Sequence, residues 1–359
     1  MTGVLFVAGL LLLVLGAESL VRGAARLAVA AGITPLVVGL TVVAYATSAP
    51  EAAVSIQAAF QHNADIAVGN VIGSNIFNVL MILGLSAVIA PLTVSTQLVR
   101  NDVPVMIGTS LLLLLVAWNQ AIGRMEGATL LVLMVVYTVL VVRLGRRAAR
   151  ASDAPAQEPV GTVYGNIGLV VVGLGALVLG ARLLVNSAVV FATALGVSPL
   201  VVGLTIVAAG TSLPELATSI AATVRGQRDI AVGNAVGSNI FNVLFVLGTT
   251  SVLAPEALHV ATSALTFDLP FMIAVCIACL PIFFTGYTID RWEGVVFLLF
   301  YAAYTAYLIL HGIAHDAAPV LRHIMLLYVV PLAGVTLVLI AGREWHSHRA
   351  ASRRAPFES

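Results

Sequence analysis

Residues 39–56 read GLTVVAYATSAPEAAVSI and residues 203–220 read GLTIVAAGTSLPELATSI; beyond them, DIAVGNVIGSNIFNVLMILG at 65–84 meets DIAVGNAVGSNIFNVLFVLG at 229–248. Segments 32–84 and 196–248 align without a gap at an offset of 164, with 34 identities in 53 pairs, too many for shared hydrophobicity alone. Each copy sets one carboxylate, Glu51 or Glu215, in a stretch otherwise apolar enough to span a bilayer. An ionisable group at mid-bilayer costs roughly 2.5–3.5 kcal/mol on insertion scales, so its appearance twice asks for a function. A duplicated apolar cassette with a polar centre is the pattern of a transporter whose ion site lies where the copies meet.

The composition sets the solvent. Hydrophobic residues are 60% of the 359 and charged residues 9%, against about 25% charged in soluble domains. A chain this apolar is a polytopic membrane protein. Its formal charge of +1 gives no sign of a nucleic-acid partner. The first apolar run has no basic leader and no small-residue cleavage site, so it reads as a retained helix. Cys276 and Cys279 lie mid-run in FMIAVCIACLPIFF and read as buried small hydrophobes before any redox or metal pair.

A span needs about 20 residues at 1.5 Å each. The apolar runs predict spans at 3–28, 34–60, 66–90, 103–119, 125–143, 165–191, 198–224, 230–253, 268–285, 291–311 and 323–342. The expected fold is all-α: a first five-helix repeat (1–143), a flexible cytoplasmic linker (144–163), a second repeat (164–311), and an extra helix with a basic tail (312–359). Asp102-Val-Pro and Asp268-Leu-Pro resemble N-caps opening the fourth helix of each half. Arg124-Met-Glu-Gly and Arg291-Trp-Glu-Gly open the fifth.

Five helices per repeat is odd, so the second repeat enters the membrane inverted. With the N-terminus outside, fourteen of the seventeen Arg fall inside, only Arg124 and Arg322 fall outside, and Arg182 lies within a span, as the positive-inside rule requires. The matched loops agree: QHNAD after the first cassette has no basic residue, whereas RGQRD after the second has Arg225 and Arg228. The C-terminus is then cytoplasmic, and the expected location is a bacterial or archaeal plasma membrane.

Thr47-Ser-Ala-Pro-Glu51 and Thr211-Ser-Leu-Pro-Glu215 carry the chemistry. A proline inside a helix removes one N–H and pushes away the carbonyl four residues back, here Ala46 and Gly210. Thr and Glu four apart share a face, with Ser48 or Ser212 beside them. Hydroxyl, carboxylate and loosened carbonyl thus gather at one depth. All are hard oxygen donors, as Ca2+ wants, with about six to eight oxygens at about 2.3–2.6 Å; Na+ accepts a smaller set. In Gly73-Ser-Asn-Ile-Phe-Asn78 and Gly237-Ser-Asn-Ile-Phe-Asn242, Ser74 and Asn78, like Ser238 and Asn242, are again four apart. Gly69, Gly73, Gly233 and Gly237 have small-xxx-small spacing for close helix contact. Asn75 and Asn239 point elsewhere and read as structural. Glu18, one turn from Arg22, reads as a local ion pair; Asp65 and Asp229 read as helix-end stabilisers.

These residues resemble the Ca2+/cation antiporter superfamily, specifically its prokaryotic sodium/calcium exchanger branch, across residues 1–311. The resemblance implies ten helices of which the second, third, seventh and eighth surround a diamond of cation sites, with the first and sixth sliding across them. Carried over position by position, it implies side-chain ligands at Thr47, Ser48, Glu51, Ser74 and Asn78 and at Thr211, Ser212, Glu215, Ser238 and Asn242, plus backbone carbonyls at Ala44 and Ala208. It departs at Ala46, where the pattern has Gly, and at Asn242, where many exchangers carry Asp. Two carboxylates are neutralised by one Ca2+ or two Na+, whereas three Na+ leave +1.

The expected activity is secondary antiport of Ca2+ against Na+ by alternating access, in the direction of calcium extrusion. The alternatives are H+/Ca2+ exchange, K+-dependent exchange, and a passive cation channel, which the inverted repeat disfavours. An intramembrane hydrolase using Ser48 or Ser212 lacks a His or Lys base in any core span, so no enzyme is expected. No cofactor is expected beyond the transported cations; the partners are those ions and membrane lipid, and one chain suffices to build the site.

Overall fold

In hydrocarbon no water can bond the backbone, so each apolar run closes its own hydrogen bonds as a helix. The computed structural model describes residues 2–151, 162–195, 208–284, 286–313 and 317–324. Its helices are α1 (Thr2–Ala31), α2 (Pro35–Thr47), α3 (Ala49–Phe60), α4 (Ala64–Ile89), α5 (Leu98–Val116), α6 (Arg124–Ala151), α7 (Val163–Ala194), α8 (Leu213–Val224), α9 (Arg228–Leu253), α10 (Ala264–Phe284), α11 (Arg291–Gly312) and α12 (Ala317–Ile324). Among the described residues eight helices are long and apolar enough to cross a membrane, and α2 with α3, bent by 41°, makes a ninth. The start of the expected seventh span and nearly all of the eleventh lie outside the described residues.

Two short strand pairs report the topology. β1 (Leu92–Thr93) pairs antiparallel with β4 (Thr288–Ile289), and β2 (Ala121–Ile122) pairs with β3 (Leu258–His259). The loop after α4 therefore lies on the same side as the loop before α11. The loops after α5 and after α9 share the other side. Equivalent loops of the two halves thus sit on opposite faces, as inverted repeats demand.

Two expectations need correcting. Asp102 and Asp268 are not N-caps. α5 and α10 begin four residues earlier, at Leu98 and Ala264, and pass through the Asp in a widened π-helical turn where Val103 N–H bonds Leu98 O and Leu269 N–H bonds Ala264 O. The wider turn absorbs the missing N–H and bulk of the following proline, so the helix need not start there. Both acids are instead held by tyrosines of the fifth helices: Tyr137 to Asp102 at 3.4 Å and Tyr304 to Asp268 at 3.1 Å. The linker is also shorter than expected, because α6 runs on to Ala151; residues 152–161 lie outside the described set. The fifth helices do open at Arg124 and Arg291. In each, the Glu two residues on accepts a backbone N–H from the preceding turn, Gly123 to Glu126 at 3.1 Å and Asp290 to Glu293 at 2.8 Å.

α4 and α9 form the centre; the most apolar window of α9 is 94% buried and that of α4 72%, against 22–39% for α1, α5, α6, α7 and α11. Outside this core α1 and α7 pack antiparallel on a seven-residue ladder of small residues. A Cβ on Gly16 would sit 2.8 Å from Gly173 O, and one on Gly9 2.9 Å from Gly180 O. Gly9 and Gly16 correspond to Gly173 and Gly180 at the repeat offset. The neighbours are backbone atoms of a facing helix, which cannot turn aside. Gly16→Leu is therefore expected to cost on the order of 1–3 kcal/mol or more by overpacking, read as a lowered Tm of the purified protein. An unchanged Tm would show that the pair is not in backbone contact.

Candidate cation site

The site is built on two breaks. Ser48 (φ −80°, ψ 4°) and Ser212 (φ −90°, ψ 8°) leave the helical region in the same way just before Pro50 and Pro214. The broken helices turn Glu51 and Glu215 inward, where both are buried, at 0% and 1% exposure. The two halves then interlock. Ser212 Oγ donates to Glu51 Oε1 at 2.9 Å, and Ser48 Oγ to Glu215 Oε1 at 3.2 Å. Each carboxylate is thus held by the serine of the other repeat, and neither half forms the site alone.

The remaining predicted residues arrive from α4 and α9. Ser74 Oγ bonds Ser212 Oγ at 3.0 Å, while Asn78 on α4 and Ser238 and Asn242 on α9 are buried. Thr47 Oγ1 donates to Val43 O at 3.1 Å, with Ala44 O at 3.4 Å and Asn234 Oδ1 at 3.3 Å also in reach. Its lone pairs stay available. Thr211 Oγ1 lies 3.4 Å from Asn70 Oδ1. The carbonyl of Ala44 also accepts Ser48 N–H at 3.0 Å, so it faces competition as a ligand here. Ala208 lies in the helical turn Ala208–Gly210 that leads to the second break.

Five buried oxygens of this set have no hydrogen-bond partner: Glu51 Oε2, Glu215 Oε2, Asn78 Oδ1, Asn242 Oδ1 and Ser238 Oγ. Buried polar atoms are almost always satisfied, so five orphans among the residues of the two cassettes call for an explanation. All are oxygens. Two belong to carboxyl groups, and together they form a set of hard oxygen donors of the kind a cation takes. Among the described residues no group of three or more His, Cys, Asp or Glu gathers; the acidic groups of this set are the two carboxyls of Glu51 and Glu215, and its other oxygens are neutral.

Two residues escaped the sequence reading. Asn70 Nδ2 donates to the Glu51 carbonyl at 3.3 Å and to Ser55 Oγ at 3.0 Å; Asn234 Nδ2 does the same for Glu215 and Ser219 at 3.2 and 3.0 Å. Each amide also faces a threonine of the opposite repeat through its oxygen, so it braces the break from both sides. Their signal was present in the GN dipeptide of both DIAVGN segments. Glu18 stays out of the site. It pairs with Arg22 and also with Arg225, tying α1 to the end of α8. Gly233 and Gly237 of α9 pack on Leu36 and Leu40 of α2, with an added Cβ 2.9 and 2.8 Å from their backbones. The matching contacts of Gly69 and Gly73 would fall on residues 200 and 204, outside the described set. Both cysteines are buried free thiols.

A family model described as "Sodium/calcium exchanger protein" matches residues 1–143 and 165–310. The sodium/calcium exchanger MaX1 of Methanosarcina acetivorans is 33% identical over 334 residues, covering 82% of this chain and 95% of that protein. The inner membrane protein YrbG of Escherichia coli is 38% identical over 288 residues, covering 77% and 87%. Among solved structures, the sodium-calcium exchanger NCX_Mj, soaked with 2.5 mM Na+ and 0.1 mM Ca2+, matches with a TM-score of 0.74 at 31% identity, over 85% of this chain and 97% of that one.

Proposed function

The chain belongs to the sodium/calcium exchanger protein family and is a multi-pass antiporter of Ca2+ and Na+; on that premise we propose that both ions use the site between Glu51 and Glu215, and that Ca2+ leaves the cytoplasm as Na+ enters. The five unpartnered buried oxygens carry this reading. Their number and hardness suit Ca2+, which takes oxygen ligands almost exclusively. Shared ligands make the ions exclusive. A bare pair of carboxylates in a low-dielectric core is costly, so the site crosses between faces only when loaded, and that coupling makes exchange obligatory.

The ligands proposed are Thr47, Ser48, Glu51, Ser74 and Asn78 with Thr211, Ser212, Glu215, Ser238 and Asn242, joined by the Ala44 and Ala208 carbonyls. With asparagine at both 78 and 242, the fixed site charge is that of two carboxylates. One Ca2+ or two Na+ balances it, so exchange is electroneutral at two Na+ per Ca2+. Orientation follows the arginines: the N-terminus outside and the Arg225 end of α8 in the cytoplasm.

Uptake of radiolabelled Ca2+ by proteoliposomes, with Na+, K+ and pH gradients imposed one at a time, tests this. An outward Na+ gradient alone is expected to drive uptake, and clamping the voltage with K+ and valinomycin to leave the rate unchanged. Uptake driven only by a pH gradient would replace Na+ with H+ as the coupling ion. Uptake requiring K+ as well would make the exchanger K+-dependent.

A further inference from the structure

Asn75 and Asn239, which the cation reading leaves unused, set the direction of the two ligand amides. An asparagine side chain has nearly the same shape either way round, yet one end attracts a cation and the other repels it. Packing cannot choose between them. Hydrogen bonding can.

Asn75 Nδ2 donates to the backbone carbonyl of Asn239 at 3.3 Å. A carbonyl only accepts, so the Asn75 orientation is fixed and its Oδ1 faces the other way. That oxygen accepts from Asn242 Nδ2 at 3.1 Å, which leaves Asn242 Oδ1 as the buried, unpartnered atom. The second relay runs in the opposite sense through the repeat. Asn239 Nδ2 donates to the Met106 thioether at 3.5 Å, again a group that only accepts. Asn239 Oδ1 then accepts from Asn78 Nδ2 at 3.0 Å, and Asn78 Oδ1 is left unpartnered. All four asparagines are at most 1% exposed, so water cannot substitute for a lost partner.

We propose that Asn75 and Asn239 are positioning residues that hold Asn242 and Asn78 with their carbonyl oxygens toward the transported cation, each repeat polarising the ligand of the other. The proposal rests on the cation site between Glu51 and Glu215. Because one relay ends on a peptide carbonyl and the other on a weak thioether acceptor, the Asn78 side is the more easily reversed.

The test is the external Ca2+ concentration that half-saturates Na+-driven uptake by the full-length protein in proteoliposomes, together with the maximal rate. Asn239→Leu frees Asn78 to turn its NH2 inward and is expected to raise half-saturation about tenfold or more, in the range seen when the groups that orient metal ligands are removed, with a smaller change in maximal rate. Asn78→Asp in that background restores affinity, since both outer atoms are then oxygens. In the wild-type background Asn78 already presents its oxygen, so the same change has no orientation to restore and brings no such gain. That non-additivity identifies orientation, which a loss of packing would not reproduce. Equal gains in both backgrounds, or unchanged half-saturation in Asn239→Leu, overturn the proposal. Should Asn239→Leu fail to fold, Met106→Leu keeps the volume, removes the acceptor and carries the same cycle with a smaller loss. Glu51→Gln is run alongside: transport surviving it defeats the cation site itself, whereas its loss with additive asparagine effects defeats only the relay.

Discussion

Glu51→Gln and Glu215→Gln are each expected to abolish Na+-driven uptake of radiolabelled Ca2+ while leaving a folded protein. Glutamine keeps the volume and can still accept the serine hydroxyl of the opposite repeat, so the interlock persists. What disappears is one of the two charges proposed to face the ion. Ca2+ would then leave the occupied site with a net positive charge inside a buried core. Displacing that balance by one charge costs at least roughly 2.5–3.5 kcal/mol on the insertion scale for ionisable groups. At about 1.4 kcal/mol per tenfold, that is on the order of a hundredfold in affinity. Transport suffers further, because only a neutral loaded site crosses cheaply between the two faces. The repeats contribute equivalent carboxylates, so the two variants should fail alike. Robust flux in either would remove that residue from the ion path; retained Tm with lost flux separates chemistry from folding.

The sequence revealed the carboxylates because they break two rules at once. Each is an ionisable group in a membrane span, and each recurs at the same offset. Thr47 and Ser48 were legible by helical spacing from those acids, Asn78 by its spacing from Ser74, and all three by the family resemblance. Asn70 and Asn234 were not, although both copies carry them. Their role depends on where α4 crosses α3 and α9 crosses α8, a tertiary fact that no periodicity encodes. Asn75 and Asn239 were read as structural, but the partners proved to lie across the repeat axis, in the other half. Asp102 and Asp268 misled because Asp-x-Pro has the local grammar of a helix start. The π-helical turn that carries the helix through it is invisible to a pattern with a period of 3.6. The α1–α7 ladder could have been found from Gly9, Gly16 and Gly23, seven apart, although glycine is common enough in membrane helices to hide it.

Asn242→Asp is expected to change the coupling of the exchanger and to make it sensitive to pH. Asn242 Nδ2 donates to Asn75 Oδ1 at 3.1 Å, and Asn75 is itself fixed by its bond to the Asn239 carbonyl. An ionised carboxylate at 242 has no proton to give, so an oxygen would face an oxygen. A protonated carboxyl can donate that bond and reproduces the asparagine it replaces in shape and charge. At low pH the variant should therefore exchange as the wild type does, insensitive to voltage. As pH rises the introduced group loses its proton and the site carries three negative charges. One Ca2+ then leaves −1, whereas three Na+ balance it. Net charge now moves with each cycle, and the rate becomes dependent on the membrane potential set by K+ and valinomycin. Measuring Ca2+ uptake across pH at two clamped potentials reads both effects together. The sign is determined: voltage dependence absent at acid pH and growing toward alkaline pH. A variant that stays voltage-independent throughout would place residue 242 outside the charge that the ions must balance. It would also break the link between two carboxylates and electroneutral exchange, since that link requires every acid facing the ion to count.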